Sequence, residues 1–374
     1  MAAEGLDGIV VTDTVLSDID GQRGRLVIRG HDVEALVACA GFEHACALLE
    51  DGHFPERNRG DAVRARIGLA REAVFARLID LGDALDRPDG MDALRAGLAH
   101  LSPPAGSARA ELIAAPAVLA AAWWRRHSGE PPVAPDGTLG HAADFLRMIH
   151  GRRGDAARER ALDVYLTTVV EHGLNASTFA ARVVASTGSD DVSAIVAAVG
   201  ALKGPLHGGA PGPVLDMLDG IGDLEGARTW IEGEVRAGRR IMGLGHRVYR
   251  VRDPRAAIFE AEVERLEREG AGSGRLALAR AVERAAVEVL RERHPGRRLE
   301  ANVEFYTALL LDAVGLPRQL FTPTFAVGRV AGWLAHVEEQ RRTGRIIRPS
   351  SRYVGPLPAE AEGATVLARD AGTG

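Results

Sequence analysis

Apolar residues return every three or four positions over most of this chain. Phe259, Val263 and Leu266 fall on one face at that spacing, as do Leu278, Val282 and Val289, with arginine and glutamate opposite. Such a period suits an amphipathic helix and would scatter the same residues over both faces of a strand. Glycine and proline punctuate the expected helix ends, at Gly315 followed by Pro317 and at Gly344 after a long segment beginning near Phe325. The exception is the first thirty residues, where apolar and polar residues alternate and Asp20-Gly21 separates Val15-Leu16 from Leu26-Val27-Ile28, a hairpin signal. The pattern predicts a mainly α fold with a small N-terminal β hairpin.

At 374 residues the chain has room for two domains, or for one large domain with an appendage. Glycine- and proline-rich connections fall near 87–90 and 129–137, and the cluster at 204–212 lies between helices, where it could serve as a hinge. A net charge of -5 argues against a general nucleic-acid binder. Cys39 and Cys46 are the only cysteines, too few for a disulfide framework or a thiolate zinc site, so a reducing, cytoplasmic setting is expected. No signal peptide or membrane span is expected either, because the longest apolar run, 114–124, is short and bordered by Glu111 and Arg125. Lys203 is the only lysine, and any Schiff-base chemistry would have to run through it. The alanine- and glycine-rich tail after Pro356 reads as loose.

Four segments hold candidates for chemistry. Gly243-Leu244-Gly245-His246 runs into Arg247, Arg250, Arg252 and Asp253-Pro254-Arg255. That block puts an imidazole and several guanidiniums in a glycine-opened turn before a helix, a setting for a small, multiply negative ligand. Gly204-Pro205-Leu206-His207-Gly208-Gly209 again flanks a histidine with glycines, which let a ligand approach the backbone. The other two are His172 in Glu171-His172-Gly173-Leu174-Asn175-Ala176-Ser177-Thr178 and Glu304 in Asn302-Val303-Glu304-Phe305-Tyr306. Singly, each has an ordinary reading. The histidines could be caps or satisfied core residues, Glu304 a first-turn glutamate answering a helix dipole, and the arginines a solvated face.

Together, in order and approximate spacing, these segments and the stretch Val327-Gly328-Arg329 with Gly332-Trp333-Leu334-Ala335-His336 resemble the citrate synthase family. The resemblance runs from Gly5-Leu6-Asp7-Gly8-Ile9-Val10 to Arg348-Pro349-Ser350-Ser351-Arg352-Tyr353-Val354-Gly355. Family members condense acetyl-CoA with oxaloacetate and hydrolyse the citryl thioester, a step of the tricarboxylic acid cycle. A thioester methyl is a very weak acid, so a carboxylate base needs a donor on the enolate oxygen. The resemblance implies that Glu304 is that base, His207 that donor and His246 the imidazole that polarises the oxaloacetate ketone, with Ser177 orienting His207. Planar guanidiniums grip carboxylates through paired hydrogen bonds, and the family's oxaloacetate contacts fall on His172, Arg255, Arg329 and Arg348. Arg348 is implied to complete the neighbouring subunit's site in a homodimer. CoA contacts are implied for Arg250 and for Met242, Gly243, Leu244 and Gly245.

The resemblance also implies a two-domain helical architecture, with a large domain from 1–208 and 316–374, a small one from 209–315, and the site in the cleft between them. No cofactor is expected beyond the acyl-CoA substrate, and no metal, nucleic acid or membrane. One position departs from the family's usual pattern, which has aspartate where this chain has Glu304, a variant that resembles some short bacterial members. The added methylene extends the carboxylate by up to about 1.5 Å, and a misplacement of roughly 1 Å can cost on the order of a hundredfold in rate. Three rival readings share these residues. They are a 2-methylcitrate synthase using propionyl-CoA, a non-catalytic paralogue that binds CoA or a dicarboxylate, and a metal-dependent hydrolase built on His172, His207, His246 and Glu304. One methylene in an apolar pocket discriminates by only about 1 to 3 kcal/mol, so the acyl chain is left open.

Overall fold

The computed structural model describes residues 4–6, 8–52, 57–104, 106–208, 211–245, 249, 251–293 and 300–355; the tail after Pro356 lies outside them. Strand β1 (Ser17–Asp20) pairs antiparallel with β2 (Arg25–Ile28), which pairs with β3 (His31–Asp32) in a sheet ordered β1-β2-β3. The expected hairpin is present, with Asp20 opposite Arg25. Its first strand opens at Ser17 and not at Val15, whose backbone N–H donates to Glu339 Oε1 at 2.9 Å.

Fifteen α-helices follow among the described residues. The first nine are α1 (Val33–Cys39), α2 (Phe42–Asp51), α3 (Arg57–Ala76), α4 (Gly90–Ala99), α5 (Ala108–His127), α6 (His141–His150), α7 (Ala156–Val169), α8 (Ala176–Ala185) and α9 (Asp191–Leu202). The rest are α10 (Pro211–Ile221), α11 (Ala227–Arg236), α12 (Pro254–Arg268), α13 (Leu276–Arg293), α14 (Val303–Val314) and α15 (Phe321–Thr343). The expected faces are the ones that pack: Phe259, Val263 and Leu266 are buried on α12, and Val282 and Val289 on α13. Caps set the starts. Asn175, Asp190, Asp253 and Asn302 each accept backbone N–H groups at the head of α8, α9, α12 and α14. Gly315, at φ 88°, ends α14.

Helix α5 carries the long apolar run and is buried from Ala110 to Trp123, against α3, α4, α6 and α15. It is a core helix, and no described helix is long and apolar enough to cross a membrane. Helix α7 has neighbours on two sides, touching α15 on one and α12 and α14 on the other. Its C-terminal end therefore delivers the chain at His172 to the junction of both sets.

Helix α15 begins at Phe321, four residues ahead of the sequence expectation, with Pro323 in its first turn, where a missing N–H costs no intrahelical bond. It lies on the backbone leaving α7. A Cβ at Gly332 would stand 2.2 Å from Val170 O, and one at Gly328 2.5 Å from Val169 Cγ2. Gly332→Ala is expected to destabilise the protein by about 3 kcal/mol, the upper range for overpacking. A denaturation midpoint equal to that of the wild type would refute this contact.

Candidate active site

Asn175 caps α8 by accepting the N–H groups of Ser177 and Thr178, each at 3.1 Å. That cap points the Ser177 hydroxyl, wholly buried, at His207 Nε2, 2.8 Å away. The Trp333 indole N–H donates to the same Oγ at 3.1 Å. The Ser177 hydroxyl bonds both His207 Nε2 and Asn175 Oδ1, each at 2.8 Å, and so fixes the orientation of the ring. Burial, assisted by the nearby Arg329 cation, pulls His207 down to about 4, so the ring is neutral at pH 7. The turn that carries it is tied down by Thr322, whose hydroxyl donates to Gly208 O at 2.9 Å, and by Lys203, which pairs with Asp92 and, at 3.6 Å, with Asp89.

Arg329 is 1% exposed. Its Nε–H donates to Val169 O, its guanidinium carbon lies 4.8 Å from the centroid of the Phe325 ring, and its buried Nη2 finds no acceptor among the described residues. Burial lowers it to about 10, which still leaves a full cation at neutral pH. A buried, charged N–H without an acceptor is costly, and an anionic oxygen brought in by a ligand relieves it.

Arg255 opens α12 behind Asp253 and Pro254. Asp253 accepts its Nε–H at 3.1 Å and its Nη2–H at 2.8 Å. Its guanidinium carbon is 6.0 Å from the ring centroid of Tyr249, whose hydroxyl lies 3.2 Å from His172 Nε2. His172, Tyr249 and Arg255 thus form one buried row.

Glu304 occupies the first turn of α14, its N–H donating to the Asn302 side chain at 3.0 Å. Burial pushes its carboxyl up to about 7, against the pull of Arg255 and Arg329 and with a push from Asp253. Glu304 thus lies within electrostatic reach of both Arg255 and Arg329, and His207 within reach of Arg329.

The glycine turn before α12 is stitched to the start of α14. Leu244 and Ala301 form an antiparallel bridge, Asn302 N–H donates to Gly243 O at 2.9 Å, and Gly245 N–H to Glu300 O at 2.8 Å. Asn302 Nδ2 donates to Gly245 O at 2.8 Å. Gly243 has φ 76°, and a Cβ there would meet Phe305 at 2.8 Å, so this approach requires glycine. Met242 and Leu244 lie on the same stretch. His246 and Arg250 lie outside the described residues. Arg348 is exposed and stands apart from the cluster: Ile347 N–H donates to Ser186 Oγ at 3.0 Å, at the end of α8 opposite Ser177, about 15 Å along a ten-residue helix.

Tyr249, Phe325 and Asn175 were not singled out by sequence. Phe325 meets His207 edge-on at 6.3 Å between centroids, and its place one turn before Arg329 on α15 was the available signal. Tyr249 sits inside the arginine block but has no charge to mark it.

Comparison with known proteins gives the family. Residues 5–350 match the family description "Citrate synthase, C-terminal domain". The citrate synthase of Haloferax volcanii is 38% identical over 371 residues, covering 94% of this chain and 95% of that one. The 2-methylcitrate synthase of Mycobacterium tuberculosis is 35% identical over 361 residues, covering 94% and 90%. The crystal structure of citrate synthase from Thermotoga maritima superposes with a TM-score of 0.84 at 33% identity, over 96% of this chain and 97% of that one. Fold and relatives define a condensing enzyme of the acyl-transferring class. The chain belongs to the citrate synthase family.

Nitrogen-15 spectra of the histidines are expected to show His207 as a neutral ring down to about pH 5, one unit above the value to which burial draws it. A charged ring at pH 7 would overturn its assignment as a neutral group.

Proposed function

We propose that the protein condenses acetyl-CoA with oxaloacetate and hydrolyses citryl-CoA to citrate and CoA. What supports this reading is the grouping of Glu304 with the buried guanidiniums of Arg255 and Arg329, and of His207 with Arg329 and Ser177: burial raises the carboxyl to about 7 and keeps the imidazole neutral at pH 7. In the proposed reaction Glu304 takes a proton from the thioester methyl while His207 holds the oxygen on which charge develops. The enol carbon attacks the oxaloacetate ketone, which takes a proton from His246 as the carbon–carbon bond forms. Water then cleaves the thioester and releases CoA. Arg255, Arg329 and His172 hold the two carboxylates of oxaloacetate, and the unmatched Nη2 of Arg329 supports that assignment.

Arg348 projects from the far end of α8, so we assign it to the site of a second copy in a homodimer. CoA lies along Met242, Gly243, Leu244 and Gly245, with Arg250 near its phosphates. The site sits in a cleft between a large domain, 1–208 with 316–374, and a small domain, 209–315. The enzyme works in the cytoplasm without cofactor or metal. The second reading, 2-methylcitrate synthase, is favoured by the relative of that name. Specificity constants for acetyl-, propionyl- and butyryl-CoA with oxaloacetate separate the two.

Glu304→Gln should release CoA at least about a hundredfold more slowly while still binding oxaloacetate; normal turnover in that variant would remove Glu304 as the base. In the wild type the base must be ionised, so kcat/KM should rise with pH through about 7. Stability runs the other way. A carboxyl raised in the fold favours the native state while protonated, and that contribution is lost as pH rises through about 7. Glu304→Gln should therefore be more stable than the wild type at pH 8, as measured by denaturation.

A further inference from the structure

The N-terminal segment runs along the back of the proposed dicarboxylate site and touches buried polar groups at Thr12, Val15 and Ser17. Thr12 Oγ1 accepts from Arg182 Nη2 at 3.3 Å, and Val15 N–H donates to Glu339 Oε1. The Ser17 hydroxyl donates to Glu171 Oε1 at 2.9 Å and accepts the N–H of Gly173 at 3.1 Å. Ile19 packs on Gly173, where a Cβ would lie 3.1 Å from its Cδ1. The hairpin turn then crosses to the arginine block: a Cβ at Gly24 would stand 2.8 Å from Val251 Cγ2 and 3.3 Å from Arg252 O. Glu171 and Gly173 bracket His172, and Val251 and Arg252 lie between Tyr249 and Arg255.

A set of buried charges lies on the other side of Glu171, whose Oε2 finds no hydrogen-bond partner among the described residues. Arg182 Nη1 donates to His336 Nδ1 at 2.8 Å and to Glu339 Oε2 at 2.7 Å, and its Nε to Gln340 Oε1 at 2.9 Å. Arginine has no acceptor, so His336 Nδ1 must accept. The ring proton therefore sits on Nε2 and is donated to Glu171 Oε1, 2.9 Å away. One carboxylate oxygen thus takes three donors, from His336, Ser17 and the Gly173 N–H at 2.6 Å. Two of them, His336 and the backbone, are set by α15 and by the loop itself. Ser17 is the donor contributed from outside, and it also receives the Gly173 N–H.

We propose that the segment 12–25 is a strap that positions His172, with Ser17 as its positioning residue, so that oxaloacetate affinity depends on a hydroxyl that does not line the site. This rests on the reading of His172 as an oxaloacetate contact. Removing the hydroxyl leaves Glu171 short of one donor and the Gly173 N–H with one of its two acceptors, and the loop loses its alignment with Tyr249. CoA, assigned to the 242–245 stretch, is bonded to none of these atoms.

The test measures oxaloacetate binding by calorimetry, and kcat and both KM values, for the wild type, Ser17→Ala and Ser17→Thr. The alanine variant is expected to weaken oxaloacetate binding and raise its KM about tenfold, the weight of one hydrogen bond to a charged group, with the acetyl-CoA KM changed by less than about twofold. Threonine, which restores the hydroxyl, is expected to recover most of the loss. An unchanged oxaloacetate constant in Ser17→Ala overturns the strap, as does a parallel rise in both KM values with a lowered melting temperature, which marks general loosening. A wild-type protein that binds no oxaloacetate overturns the functional reading itself, a result distinct from either.

Discussion

The buried guanidinium of Arg329 is the constraint on which the rest of the site depends. Charge can be kept at 1% exposure only if the surroundings answer it. The fold answers with the Val169 carbonyl, the face of Phe325 and the fields of Glu171 and Glu304. It leaves Nη2 to be matched by something from outside. Burial, with this cation beside it, keeps His207 neutral at pH 7, and the cation draws the buried Glu304 part of the way back toward ionisation. Arg329 can reach this position only because Gly328 and Gly332 let α15 lie on the backbone at the end of α7.

The same buried polarity explains why this part of the molecule has one conformation. Glu171, His336, Arg182 and Glu339 are all at 6% exposure or less by side chain. Arg182 donates to His336, Glu339 and Gln340, which sets the tautomer in which His336 donates to Glu171. A network of this kind rigidifies when satisfied and is costly when broken. Here it joins α8 and α15 to the loop bearing His172, so packing energy from the long helix is converted into the orientation of a small loop at the site.

Much of this was legible in the sequence, and the limits have physical causes. Helical periodicity marked Phe259, Val263, Leu266, Val282 and Val289 as core, because an amphipathic face repeats locally. Asp20-Gly21 marked the hairpin because a turn is local as well. The pairing of Ser177 with His207 followed from resemblance, and the structure puts them 2.8 Å apart. The contacts of Glu171 had no such signal. Ser17 lies 154 residues away in the chain and His336 165, and no periodicity spans such intervals. Phe325 and Tyr249 read as ordinary apolar or aromatic positions, since what they do depends on which cations the tertiary fold sets beside their rings.

Burial moves Glu304 and His207 in opposite directions. Burial disfavours whichever form is charged, so the carboxyl rises to about 7 and the imidazole falls to about 4. Arg329 acts with burial on the histidine, while Arg255 and Arg329 both act against burial on the glutamate. The result is an acid–base pair separated by about three pH units in the reverse of the ordinary order, imidazole below carboxyl. Between those values the histidine is a neutral donor and the glutamate retains a proton that it loses just at neutrality. Proton removal from a carbon acid needs this combination: a base strong enough to compete for the proton, and a donor that stabilises the oxygen without surrendering its own proton too early. An aspartate at position 304 would meet the same field with a shorter reach. The longer arm therefore changes distance and leaves the electrostatic arrangement in place, and geometry is the variable on which turnover should depend.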